Sequence, residues 1–128
     1  MRKRCWLVPD RFEDERGVIQ DLLVRPDAAV TLIETVKGAI RGNHVHDKTV
    51  QFTYILSGLL RVVTQRAGGT LHDHVYKPGE VTCEDPGTAH AWEALEDTRV
   101  LVFTHGPRSG DAYESDTRRL TGDDRLIR

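Results

Sequence analysis

Between residues 30 and 104 the apolar residues of this chain come in short runs separated by Gly and Pro turn signals. Val30 to Val36 is rich in β-branched residues and ends at Lys37-Gly38. Phe52 to Leu56 and Leu59 to Val63 are split by Ser57-Gly58, and Gly68-Gly69 precedes Leu71 to Tyr76. Val81 to Glu84 and Arg99 to Thr104 complete the series. Runs of this length with turns between them read as strands, and nothing before residue 110 carries the period of an amphipathic helix. Many short strands in a small chain must close on themselves to hide their edges. The expected fold class is therefore all-β, a sandwich or closed barrel.

Composition narrows the function classes. With 128 residues the chain suits one domain able to bury a core. A net charge of -2 offers no basic face, so no nucleic-acid partner is expected. The opening Met1-Arg2-Lys3-Arg4 is followed by no apolar segment, and no stretch is long enough to span a bilayer, so neither export nor a membrane is expected. Cys5 and Cys83 lie far apart without metal or redox spacing, which suits a reduced, cytoplasmic protein. The final stretch differs from the rest. Pro107 to Asp111 reads as a polar loop, and Asp116 to Arg128 is crowded with charge and poor in apolar anchors. That tail suits a short strand, a dimer arm or disorder.

The histidines carry the functional signal. His44 and His46 form an H-x-H pair, and side chains two apart on a strand share a face. Gln51 opens the next strand, and His90 follows the turn Asp85-Pro86-Gly87. In a barrel these segments can be neighbours, so three imidazoles and one amide oxygen can surround a single ion. His72 and His74 repeat the local spacing without any motif around them and read as a solvated strand face. His105 ends a strand and reads as a rim residue. Arg41 has the parity of Asn43 and lies beside the pair, where a guanidinium can grip a phosphate or carboxylate. Tyr54, Trp92 and Glu34 read as packing or pairing residues, and Trp92 shares the parity of His90.

The spacing resembles a known family. Gly38, five residues, His44-x-His46, four residues, Gln51, six residues and Gly58 resemble the first cupin motif, with Gln in the usual Glu place. Gly79, five residues, Asp85-x-Gly87, two residues and His90 resemble the second, with Asp85 where Pro is usual and Ala94 where Asn is usual. The resemblance implies a double-stranded β-helix, or jelly-roll barrel, with the site in its mouth. One domain over residues 1–128 is expected, its barrel at about 17–106 and its tail at 107–128. Asp14-Glu15-Arg16-Gly17 and Arg41-Gly42-Asn43-His44 further resemble the nucleotide-sugar branch of cupins. That branch includes keto-sugar epimerases, 3,4-ketoisomerases and the cupin domain of capsule-sugar epimerising enzymes.

Two mechanisms follow for the same residues. In one, His44, His46, His90 and Gln51 hold a divalent transition metal (Zn, Fe, Ni or Mn) that polarises a carbonyl. In the other no cofactor is needed. The resemblance then makes His44 the base beside a ketone, and Arg41 holds a diphosphate or polarises the carbonyl. The expected function is epimerisation or keto-isomerisation of a nucleotide-linked keto-sugar, a small-molecule substrate. A metal-dependent dioxygenase or lyase on a small acid is the alternative, and a non-catalytic ligand-binding cupin is the third. The family resemblance also implies a homodimer.

Overall fold

A computed structural model describes residues 11–107 and 110–128. Cys5, the basic opening and Arg108-Ser109 of the expected loop lie outside the described residues. The strands are β1 (Arg11–Asp14), β2 (Gly17–Arg25), β3 (Ala28–Thr35), β4 (Ile40–His46), β5 (Val50–Ser57), β6 (Leu60–Arg66), β7 (Leu71–Tyr76), β8 (Val81–Glu84), β9 (Thr88–Ala94), β10 (Thr98–His105) and β11 (Thr117–Arg119). A short helix α1 (Gly110–Asp116) precedes β11, and a 3-10 turn (Gly122–Asp124) follows it. Two antiparallel sheets result, one ordered β1-β2-β3-β10-β5-β8 and the other β11-β4-β9-β6-β7. This is the all-β fold expected from the strand pattern and the jelly-roll that the family resemblance implies.

Alternation along each strand builds the interior. On β5, Gln51, Thr53 and Ile55 are buried while Phe52, Tyr54 and Leu56 are exposed. Ile55, Leu60, Val62, Trp92, Val100 and Val102 pack together as the main core, with Ile33 and Tyr76 against it. Apolar side chains buried this fully contribute about 1.5–3 kcal/mol each by leaving water. Trp92 and Val102 of this core, with Ile33, also form part of the wall of the cavity described below.

A bulge in β4 sets the faces of the functional residues. The β4–β9 register slips between Gly42 and His44. Gly42 has φ 83° and Asn43 φ 55°. A Cβ at residue 42 would lie 3.0 Å from the His90 carbonyl oxygen, so both the backbone conformation and the close approach call for glycine. Asn43 holds its left-handed conformation with its side chain. Its Nδ2 donates to the Ile127 carbonyl at 2.8 Å, and its Oδ1 accepts from the Leu126 and Ile127 amides at 2.8 and 3.2 Å. The slip lets odd-numbered Arg41 share the interior with even-numbered His44 and His46.

Several expectations need correcting. Strands β1 and β2 were not expected, because Arg11–Asp14 is mostly charged and Gln20-Asp21 interrupts the apolar residues of Gly17–Arg25. Strand β9 was missed because its histidine and alanines give little β signal. Gly110 and Asp111 open a helix instead of finishing a loop. The sheets also extend past residues 17–106 at both ends. The tail is tied down as a strand: β11 pairs with β4, and Ile127 packs with Val63 and Ala91 on the outer face of the second sheet. Tyr54, expected to pack, stands on the outer face of β5, opposite Leu101 and Val81.

Candidate functional site

Two paired strands bring the histidines together. His44 and His46 come from β4, and His90 comes from β9 directly opposite His44. The Nε2 atoms of His44 and His90 are 2.8 Å apart. The His46 ring lies 4.6 Å from that of His44 and 5.5 Å from that of His90, centre to centre. One nitrogen from each imidazole falls within 4.8 Å of the others. Gln51 is buried in the wall of the same cavity, its Nε2 3.4 Å from Thr53 Oγ1.

Hydrogen-bond polarity fixes two of the protons. His90 Nδ1 lies 3.3 Å from the Thr88 carbonyl, which can only accept, so Nδ1 carries the hydrogen. His90 Nε2 is then a bare lone pair, and His44 Nε2 must be the donor across the 2.8 Å contact. Burial, reinforced by the neighbouring imidazoles, pushes the pKa of His44 down to about 2. Burial, reinforced by His46, pushes that of His90 down to about 4. Both rings are therefore neutral near physiological pH, the form in which imidazole binds a metal.

The donor set fits a divalent transition ion. Tetrahedral zinc with Zn–N near 2.0–2.1 Å needs nitrogens roughly 3.3 Å apart. The His44–His90 pair would open by about half an ångström to admit one. Imidazole suits several such metals.

The cavity around the triad has a volume of about 370 Å³. Its wall includes Arg16, Arg41 and Arg119 and no carboxylate among the described residues. Arg16 is bound by Asp14 at 2.6 Å and Arg119 by Glu114 at 3.0 Å. Arg41 differs. It is buried, and its guanidinium donates only to Thr35 Oγ1 at 2.9 Å and the Glu34 carbonyl at 3.2 Å. Desolvation, reinforced by the Arg16 charge and opposed by that of Asp14, lowers its pKa.

The other sequence candidates separate cleanly. His72 and His74 are exposed on β7, where His74 contacts Tyr76, and neither reaches the triad's cavity. His105 is exposed at the end of β10. Glu34 pairs with Arg99 at 3.1 Å, and Trp92 is in the core and the cavity wall. Sequence reasoning missed Tyr113, Thr117 and Arg119. All three come from the charged tail; Tyr113 and Arg119 line the cavity, and Thr117 contacts His46. No local spacing links them to the histidines, and only the β4–β11 pairing does so.

A cupin-domain family model matches residues 31–105, more than half of the chain. The chain is a cupin. Solved structures agree on the fold. The capsular polysaccharide assembling protein CapF from Staphylococcus aureus superposes with a TM-score of 0.77 at 21% identity, over 91% of this chain and 34% of that one. Oxalate decarboxylase from Bacillus subtilis gives 0.74 at 21%, over 88% of this cupin and 30% of the decarboxylase. The Lactobacillus farciminis oxalate decarboxylase formate complex gives 0.74 at 20%, over 88% and 34%. The cupin thus spans about a third of the length of these proteins. No curated protein sequence matches it. No helix among the described residues is long and apolar enough to cross a membrane.

Proposed function

We propose that this cupin is an enzyme that epimerises or isomerises a nucleotide-linked keto-sugar at a divalent metal held by His44, His46 and His90, with Gln51 beside them. The observation that carries the proposal is the pairing, in one cavity, of a neutral histidine triad with a buried guanidinium that makes no ion pair among the described residues. A bound metal would supply Lewis acidity toward a ketone oxygen. Neutral ligands leave its positive charge undiminished, whereas a glutamate at position 51 would partly cancel it.

The chain's own residues then divide the work. Arg41 grips the anionic end of the substrate and sets its distance from the triad. Tyr113 is the one titratable cavity residue besides the histidines and arginines among the described residues; as phenolate it would take the proton from the carbon beside the ketone, and as phenol it would return that proton to the product carbon. His44 is a poor base for a metal-free route, because a pKa near 2 gives it little drive to take a proton beside a ketone. The alternative reading is a metal-dependent dioxygenase or lyase acting on a small acid. Arg41 fits a carboxylate as well as a phosphate, and the structural likeness extends to the oxalate decarboxylases.

The test combines metal analysis with proton exchange. The purified protein should carry about one equivalent of Zn, Mn, Fe or Ni. It should also wash solvent deuterium into the carbon beside the ketone of a nucleotide-linked keto-sugar. His90→Ala should lose both properties, while the double variant His72→Asn/His74→Asn should keep them. No exchange with any of these metals, together with oxygen uptake by the iron form, would move the assignment to the dioxygenase.

The proposal includes a homodimer in a reducing, cytoplasmic setting, where exposed Cys83 stays a thiol. The tail packs on part of the outer face of the second sheet, and the outer face of the first presents Phe52, Tyr54, Leu56, Val81 and Phe103 to solvent among the described residues. Phe52 and Phe103 stand directly opposite each other, 43% and 42% exposed. A contiguous apolar sheet face of this kind suits a self-complementary contact. Light scattering should give a dimer mass for the native protein and a monomer mass for Phe103→Lys. A monomeric native protein, or a variant that remains dimeric, would rule this face out.

A further inference from the structure

Thr117 is the first residue of β11, directly opposite His46 on β4, and its side chain is buried. Its Oγ1 lies 3.1 Å from His46 Nδ1. The same oxygen donates to the Tyr113 carbonyl at 2.9 Å. That carbonyl, in the last turn of α1, can only accept, so the hydroxyl is the donor of this bond. Thr117 therefore spends its one hydroxyl hydrogen there. Once it has, its oxygen can only accept, and the hydrogen between it and His46 must sit on Nδ1.

We propose that Thr117 is a positioning residue that locks His46 in the tautomer with hydrogen on Nδ1 and the lone pair on Nε2. The Thr88 carbonyl imposes the same tautomer on His90 from β9. Two of the three imidazoles are thus set as ligands by groups behind them, one from the barrel and one from the tail. Only His44 carries its hydrogen on Nε2, so it is the histidine that must move a proton when an ion enters. The tail acquires a defined role: α1 orients a hydroxyl, and the hydroxyl orients a ring.

The inference rests on the proposed metal site for its affinity arm only; its tautomer arm is read in metal-free protein. Long-range proton–nitrogen correlation spectra of chelator-treated, ¹⁵N-labelled protein, recorded at mildly alkaline pH, report which His46 nitrogen carries hydrogen. The native protein and Thr117→Ser should both show hydrogen on Nδ1. Thr117→Val, which keeps the shape and removes the acceptor, should shift His46 to a mixed or Nε2-protonated pattern. Zinc affinity by chelator competition should fall about 10- to 100-fold in Thr117→Val and return close to the native value in Thr117→Ser. Hydrogen on Nε2 in the native protein, or an unchanged tautomer in Thr117→Val, would overturn the proposal. The expected tautomers without zinc binding in any form would support Thr117 as the positioning residue and remove the metal from the proposed function.

Discussion

Glu84→Gln is expected to stabilise the metal-free protein by about 3 kcal/mol at pH near 8 and to change little below pH 4.5. Glu84 lies on the inner face of β8 with 1% of its surface exposed. Its Oε1 accepts from Thr82 Oγ1 at 2.7 Å, and its Oε2 is buried without a partner. Burial, partly offset by the Thr82 bond, raises its pKa from 4.5 to about 7. A carboxyl whose folded pKa is raised binds its proton more tightly in the fold. The resulting penalty is absent below pH 4.5, grows as pH rises toward 7, and is constant above it. An amide has the same shape and no charge to desolvate.

The buried histidines slope the other way. Their folded pKa values lie below the ordinary histidine value of 6.5, so the unfolded chain takes up protons first as pH falls. Stability therefore drops from about pH 6.5 down through pH 4, in native and variant alike. Denaturant titrations across this range, native against Glu84→Gln, isolate the carboxyl. A stability difference that does not vary with pH would mean that Glu84 ionises in the fold as it does in the unfolded chain.

The second large effect is a separation of stability from binding at Arg41. Arg41→Met removes a buried cation that makes no ion pair among the described residues and leaves an apolar chain of similar length. Relief of charge desolvation, worth several kcal/mol, offsets the lost bonds to Thr35 and Glu34. The variant should be about as stable as the native protein, or more so. Affinity for a nucleoside diphosphate sugar, measured by calorimetry, should nevertheless fall at least ~100-fold, about 2.7 kcal/mol, because a charge-assisted forked contact is lost. Arg41→Lys should recover only part of it, since an ammonium keeps the charge without the fork. Unchanged affinity with strong destabilisation would make Arg41 a structural residue that supports Thr35 and nothing more.

Much of this protein is written locally. Strand runs such as Leu71–Tyr76 and Val81–Glu84 are legible because alternation and β-branching act over a few residues, and their bounds match β7 and β8. The His44-x-His46 pair is legible because a strand puts alternate side chains on one face, and motif spacing separates it from His72 and His74. Tertiary structure decided what depends on distant partners. The Arg41 side chain faces the triad only because the bulge at Gly42-Asn43 reverses strand parity, and Asn43 is held there by Leu126 and Ile127, more than eighty residues away. Glu84 reads as an ordinary surface acid until β8 turns it inward opposite Gln51. Thr117 sits in a run of charge with no local pattern to mark it. Its place beside His46 comes from pairing between β11 and β4, and pairing across that distance is set by what the rest of the barrel leaves uncovered.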